Sequence, residues 1–188
     1  MKQYCLAGDL SAWFRPSPRK FVSFGASSLS AAHPDTFALD AFDRAILAIL
    51  QRDNTTPQRV IGAAVNLSAP AVQRRIRKLE AAGVITANVA VVDPPSVVQA
   101  VTLLVEVQVE SERIDKLDAV KARLAAAPQV QQCYYVTGDA DFVLVVTVPT
   151  MADYEALTRR LFFEPGDVKR FKTLVVMDRV KAGLAVPV

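Results

Sequence analysis

At 188 residues and 52% hydrophobic, the chain has a globular composition and can bury one full core or two small ones, and its net charge of +3 permits a polyanionic partner without requiring one. Cys5 and Cys133 stand far apart and outside any Cys-x-x-Cys or Cys/His spacing, which argues against a disulfide framework or a metal site and suits the reducing cytoplasm. The most apolar windows, such as residues 97–109, are interrupted by Gln99, Glu106 and Gln108, short of the ~20 clean residues of a membrane span.

Residues 1–38 scatter aromatic and basic side chains among Ser, Ala and Pro with no helical or strand period, and read as a disordered extension. Lys2, Arg15, Arg19 and Lys20 outnumber Asp9 and Asp35, which resembles a transit peptide or a basic arm that tracks DNA. The plainer reading is an unselected tail, or one upstream of the true translation start; the apolar run of a secretory signal is missing. The single histidine, His33, lies beside Pro34 and reads as a loop residue rather than a ligand.

From Leu39 a helical period begins. Phe42, Ile46, Ile49 and Leu50 recur behind Asp40, an acceptable N-cap, and predict a first helix over residues 40–52. Asp53-Asn54 breaks it, and Thr55-Thr56-Pro57 offers an N-cap followed by Pro at the first helical position. That opens a second helix through Val65, with Val60, Ile61, Ala64 and Val65 as its buried stripe. Asn66-Leu67-Ser68 makes a tight connection with Leu67 as an inward plug. A third helix follows, with Ser68 as N-cap, Pro70 in its first turn and Gly83 as its stop. Val72, Ile76 and Leu79 share one face of it, while Arg74, Arg77 and Lys78 point the other way.

A basic amphipathic helix alone is equally at home as a solvated surface element. Behind two capped helices and a short turn, it makes a helix-turn-helix. In that arrangement Lys and Arg on phosphates supply affinity, and side chains near the helix N-terminus reach base edges. Gln73 suits adenine and Arg74 guanine, with Ser68 at the helix start and Arg77 and Lys78 on phosphates; Arg75 flanks the set.

Val84-Ile85 and residues 89–92 predict a short strand, a wing or a hinge. Asp93-Pro94-Pro95 ends it and marks the expected boundary between a DNA-binding domain, 39–92, and a second domain, 93–188. The second domain alternates: a strand over 101–109, a helix over 114–127 with Leu117, Val120, Ala122 and Leu124 for its buried side, strands over 130–136 and 142–148, a helix over 152–163 and a last strand over 168–177. The order β-α-β-β-α-β predicts a ferredoxin-like sandwich, and the whole chain an α+β protein. Two helices cover one face of such a sheet, so the other, rich in Val and Leu, should be hidden by oligomerisation.

Between the two middle strands lies Gly138-Asp139-x-Asp141, with Thr137 before it. Taken alone it reads first as an ordinary hairpin turn; the functional reading is that main-chain groups and two carboxylates suit the ammonium and carboxylate of an amino acid. Spacing alone does not choose.

From Leu39 to about Lys181 the sequence resembles the Lrp/AsnC family, the feast/famine transcription regulators. The resemblance rests on Leu39-Asp40-x-x-Asp43-x-x-Ile46-Leu47; Leu67-Ser68-x-Pro70 with Val72-x-x-Arg75-Ile76-x-x-Leu79-Glu80-x-x-Gly83-Val84-Ile85; Thr137-Gly138-Asp139-x-Asp141-Phe142; and Val175-Val176-Met177. It implies a winged helix-turn-helix followed by a ferredoxin-like effector domain, and dimers, often assembled into octamers. It also implies effectors, usually amino acids, bound between dimers near Thr137, Gly138, Asp139 and Asp141. The sequence departs from the family in its extension and at Gly62, where a better helix former is expected and which predicts slightly looser docking of the third helix.

The function expected is therefore sequence-specific binding of promoter DNA, modulated by an amino acid or related metabolite through allosteric coupling, without cofactor, metal or catalysis. One alternative is a sirohaem-decarboxylase-like enzyme of the same architecture, disfavoured because the only histidine lies in the tail. Another is an architectural protein that wraps DNA with little sequence preference, which the modest charge disfavours.

Overall fold

The computed structural model describes residues 37–111 and 113–188; almost all of the expected extension, with Cys5 and His33, lies outside the described residues. The first three helices are α1 (Ala41–Leu50), α2 (Gln58–Val65) and α3 (Ala69–Ala81). Ile46, Ile61, Val65 and Val72 form their buried cluster, and Ile49, Leu50, Leu67 and Ile76 pack against it, so Leu67 is the plug its place in the turn predicts.

The stripe on α2 differs from the expected one: Val60 and Ala64 are exposed, and Ile61, Gly62 and Val65 are buried. Ile61 and Val65, four residues apart, already fill the narrow apolar face of so short a helix. Its start differs as well. Pro57 precedes the first turn and its carbonyl accepts from the amides of Val60 and Ile61, while Thr56 Oγ1 donates to the Asp53 carbonyl at 2.8 Å instead of capping the helix.

Gly62 corrects an expectation more sharply. A Cβ there would stand 2.4 Å from the Leu67 carbonyl oxygen, and the Gly62 carbonyl accepts from the amides of both Asn66 and Leu67. Asn66 turns the chain with φ at 56°, a left-handed conformation that Asn adopts more readily than most residues. The absent side chain lets the turn fold back onto α2, so Gly62 tightens the docking of α3 rather than loosening it.

Residues 84–92 form no strand, contrary to the expected wing or hinge. A strand exists only through hydrogen bonds to a neighbour; this segment has none in the sheet, and Val89, Val91 and Val92 are exposed. A 3-10 turn, Pro95–Val97, leads from it toward the sheet.

The second half follows the expected order: β1 (Val101–Val109), α4 (Ile114–Ala126), β2 (Val130–Tyr135), β3 (Phe142–Val148), α5 (Met151–Thr158) continuing in a π turn (Arg159–Phe163), and β4 (Val168–Val175). The sheet runs β2-β3-β1-β4, antiparallel throughout, which is the ferredoxin-like arrangement. Alternation divides its residues. Leu103, Val105 and Val107 of β1 and Phe142, Leu144 and Val146 of β3 face Leu117, Val120 and Leu124 of α4 and Tyr154, Leu157, Leu161 and Phe162 beyond β3. Ala122, expected on the buried side of α4, is exposed, since it lies two residues from Val120 and so on another helical face.

The other face carries Leu104 opposite Leu174, Glu106 opposite Lys172, and Tyr134 opposite Val143. Leu104, Tyr134 and Leu174 are exposed, and the Glu106–Lys172 ion pair, at 3.6 Å, lies among them. At the end of the chain the Gln51 amide donates to the Val186 carbonyl at 3.0 Å and accepts the Val186 N–H at 2.7 Å, a two-point pairing of the C-terminal segment with the end of α1.

Gly62→Ala should lower stability by about 1–3 kcal/mol, the usual range for forcing volume into a filled site. Thermal denaturation checks it: an unchanged or raised melting temperature would mean that the turn relaxes freely around the added methyl.

Candidate nucleic-acid interface and ligand loop

Helix α3 begins as its sequence dictates. Ser68 is the N-cap, in extended conformation, with Oγ accepting from the Ala71 amide at 3.4 Å, and Pro70 sits in the first turn. Gly83 ends it at φ 72°, and the amide of Val84 returns to the Leu79 carbonyl at 2.9 Å. Val72 and Leu79 are fully buried and Ile76 partly so. Arg74, Arg77 and Lys78 are exposed on the opposite side, and Gln73 is partly buried beside them. An exposed cationic row on a helix is suited to a phosphate backbone.

The remaining cation of that row turns inward. Arg75 Nη1 lies 2.7 Å from Asp43 Oδ1, with the carboxylate side chain only 7% exposed and the guanidinium 28%. The same guanidinium stands over the Phe42 ring at 5.3 Å. This pair joins α1 to the back of the basic helix and withdraws Arg75 from the solvent face. Sequence reasoning placed Arg75 merely beside the DNA-facing set. The available signal was Asp43, an acid one turn before Ile46 and Leu47 in an otherwise apolar stripe, where a charge needs a partner.

The loop between β2 and β3 closes with the amide of Val136 on the Asp141 carbonyl, 2.9 Å. Gly138 has φ at 123°, a conformation that L side chains rarely adopt. Thr137, Gly138 and Asp139 are exposed, and Asp141 is partly buried. The two aspartates differ in employment: Asp141 Oδ2 accepts the Val109 N–H at 2.8 Å, tying the loop to the end of β1. At its root the Tyr135 and Phe142 rings stack at 5.2 Å, and Lys121 Nζ lies 5.0 Å over Tyr135. Hollows of about 620 and 320 Å³ lie elsewhere, the first along residues 91–95 and 176–179, the second beside Gln129, Asp153 and Arg160. Neither includes the loop, where Thr137, Gly138 and Asp139 form an exposed rim.

The thiol of Cys133, half-buried on β2, is pushed up by burial, which favours its protonated form. Among the described residues no group of three His, Cys, Asp or Glu side chains is arranged to hold a metal ion, and no helix is long and apolar enough to cross a membrane.

The family model of the AsnC-type helix-turn-helix domain matches residues 39–80, and that of the Lrp/AsnC ligand binding domain matches residues 102–186. An uncharacterized HTH-type transcriptional regulator of Sinorhizobium fredii is 47% identical over 150 residues, covering 80% of this chain and 89% of its own. The leucine-responsive regulatory protein of Haemophilus influenzae is 31% identical over 144 residues, covering 77% and 87%. The crystal structure of an AsnC family transcriptional regulator from Agrobacterium tumefaciens superposes with a TM-score of 0.75 at 33% identity, over 79% of this chain and 97% of that one.

Replacing Arg75 by Ala should cost about 2–3 kcal/mol, somewhat below the range for breaking a fully buried ion pair because the guanidinium is partly solvated. Arg74→Ala should leave stability unchanged. Denaturant titration of the two variants checks the contrast, and equal midpoints would remove the structural role of Arg75.

Proposed function

Because the chain belongs to the Lrp/AsnC family of helix-turn-helix transcriptional regulators, we propose that α3 reads promoter DNA through named side chains and that the loop between β2 and β3 receives an amino-acid effector. The observation that supports the first part is the placing of the cations on α3: Arg75 turns inward to Asp43, and the side chains of Arg74, Arg77 and Lys78 are exposed beside Gln73. Gln73 and Arg74, nearer the helix N-terminus, take base edges; Arg77 and Lys78 take phosphates, and Ser68 fixes the helix start from which all four project. The relatives above are regulators by name, and we assign the chain neither the tetrapyrrole chemistry nor the unspecific DNA wrapping considered as alternatives.

The effector reading draws on the ligand-binding family model over residues 102–186 and on the printed name of the leucine-responsive relative. Exposed Thr137, Gly138 and Asp139 supply a hydroxyl, main-chain groups and a carboxylate of the kind that an α-amino acid engages, with Asp141 at the root of the loop. An exposed rim becomes a pocket when a second surface closes it, so the site is completed by a neighbouring subunit. Two features support the assembly: the open sheet face with Leu104, Tyr134 and Leu174, and the apolar but unpaired segment 84–92. We place dimerisation on that face, a further assembly of dimers around the loop, the boundary between DNA-binding and effector halves at residues 92–93, and the protein's action in the cytoplasm. Effector binding then changes the spacing of the α3 helices and with it DNA affinity.

Arg77→Ala should weaken binding to the DNA upstream of the protein's own gene and reduce the slope of log affinity against log salt by about one, while Arg74→Ala should cost about 1–3 kcal/mol of binding and relax the preference for its base. Fluorescence anisotropy at several salt concentrations measures both; an unchanged slope in Arg77→Ala would take α3 off the phosphate backbone. For the effector, at least one of the standard L-amino acids should raise the melting temperature, since ligand at a hundredfold excess over Kd stabilises the folded state by about 2.7 kcal/mol. A flat response to all of them would remove the amino-acid reading.

A further inference from the structure

Asp139 and Asp141 are not equivalent, and the way Asp141 is held shows what it does. Strand β3 begins at Phe142, which pairs with Val107, so β3 has no residue in register with Val109. Asp141 fills that gap with its side chain, Oδ2 accepting the Val109 N–H at 2.8 Å. Its own N–H donates to the Val107 carbonyl, and its carbonyl accepts the Val136 N–H, both at 2.9 Å. Two of these bonds tie the root of the loop to the last residues of β1, and the third closes the loop onto Val136.

The anchor point is itself braced. The next amide along, that of Glu110, donates to the Asp167 carbonyl at 2.9 Å. The Asp167 carboxylate is gripped by both terminal nitrogens of Arg123 on α4, at 2.9 and 2.5 Å, with both side chains only 23% exposed. The end of β1 also departs from regular pairing with β4, the register shifting between Gln108 and Val109. The loop is thus tied to a post that α4 and β4 brace from the other side.

We propose that Asp141 is a positioning residue, which fastens the loop so that Thr137, Gly138 and Asp139 are presented to the effector, and that Asp139 is the carboxylate that meets the effector's ammonium group. The inference rests on the amino-acid reading above and sharpens it, because a carboxylate oxygen committed to a main-chain amide is a poor partner for a ligand that comes and goes. What Asp141 must supply is an acceptor for the Val109 N–H, not a charge. An asparagine keeps an acceptor oxygen in the same place, neutral and so weaker than the carboxylate.

The test is a thermal-shift titration of the full chain with each of the twenty standard L-amino acids, on wild type, Asp139→Ala, Asp141→Ala and Asp141→Asn. Asp141→Ala should lower the ligand-free melting temperature and weaken the apparent affinity for the responding amino acid roughly tenfold or more, as loss of a hydrogen bond to a charged group does. Asp141→Asn should restore both. Asp139→Ala should keep the ligand-free melting temperature and lose the response. If Asp141→Asn melts like wild type yet loses the response, the Asp141 charge itself meets the ligand and the inference fails. Wild-type affinity in Asp141→Ala would show the latch to be idle, and a response that survives Asp139→Ala would move the ammonium contact off this residue. Should Asp141→Ala fail to fold, the asparagine variant still decides. No response from wild type to any of the twenty would instead overturn the amino-acid reading, and this inference with it.

Discussion

The ion pair between Asp43 and Arg75 governs how the DNA-binding half is used. A carboxylate with 7% of its side chain exposed is unfavourable in an apolar cluster unless a cation and hydrogen bonds compensate it. Satisfying it commits one of the four basic side chains of α3 to the interior and fixes the rotation of that helix about its own axis. The other three are then placed by geometry, because at ~100° per residue a helix with Arg75, Val72 and Leu79 inward has Arg74, Arg77 and Lys78 outward. Gly62 serves the same end at the other contact of α3, letting the chain turn within 2.4 Å of where a side chain would begin. Rotation and distance of the basic helix are thus set by one buried charge and one missing Cβ.

The second half obeys a different constraint. An antiparallel sheet with both helices on one face has a complete core on that side, where Val105, Val107, Phe142 and Leu144 reach zero exposure, and an unfinished one on the other. The unfinished face mixes apolar pairs with the Glu106–Lys172 pair, a pattern of patches with an internal register rather than a uniformly greasy surface. Charge pairs inside an apolar patch add little affinity but penalise misaligned partners.

Much of this was legible in the sequence, because periodicity and caps are local. The three helices, the Ser68 cap, the Leu67 plug and the β-α-β-β-α-β order follow from spacing alone. What escaped depends on contacts that no window contains. The role of Gly62 is decided by a carbonyl five residues on, in a turn whose conformation comes from Asn66. The inward turn of Arg75 is decided by an acid 32 positions earlier. The strand expected over 84–92 has the right residues but no neighbour in the sheet to pair with, and strand propensity without a neighbour yields none. The loop between β2 and β3 was ambiguous for the same reason: Gly138 and Asp139 suit a turn or a binding rim, and only the bond from Val109 to Asp141 separates the supporting aspartate from the exposed one.

The pairing of Gln51 with Val186 has a practical corollary. The segment around Val186 touches the end of α1, so a bulky label attached to that segment would sit beside α1 and strain the amide pair between them. Hardware placed there becomes part of the measurement.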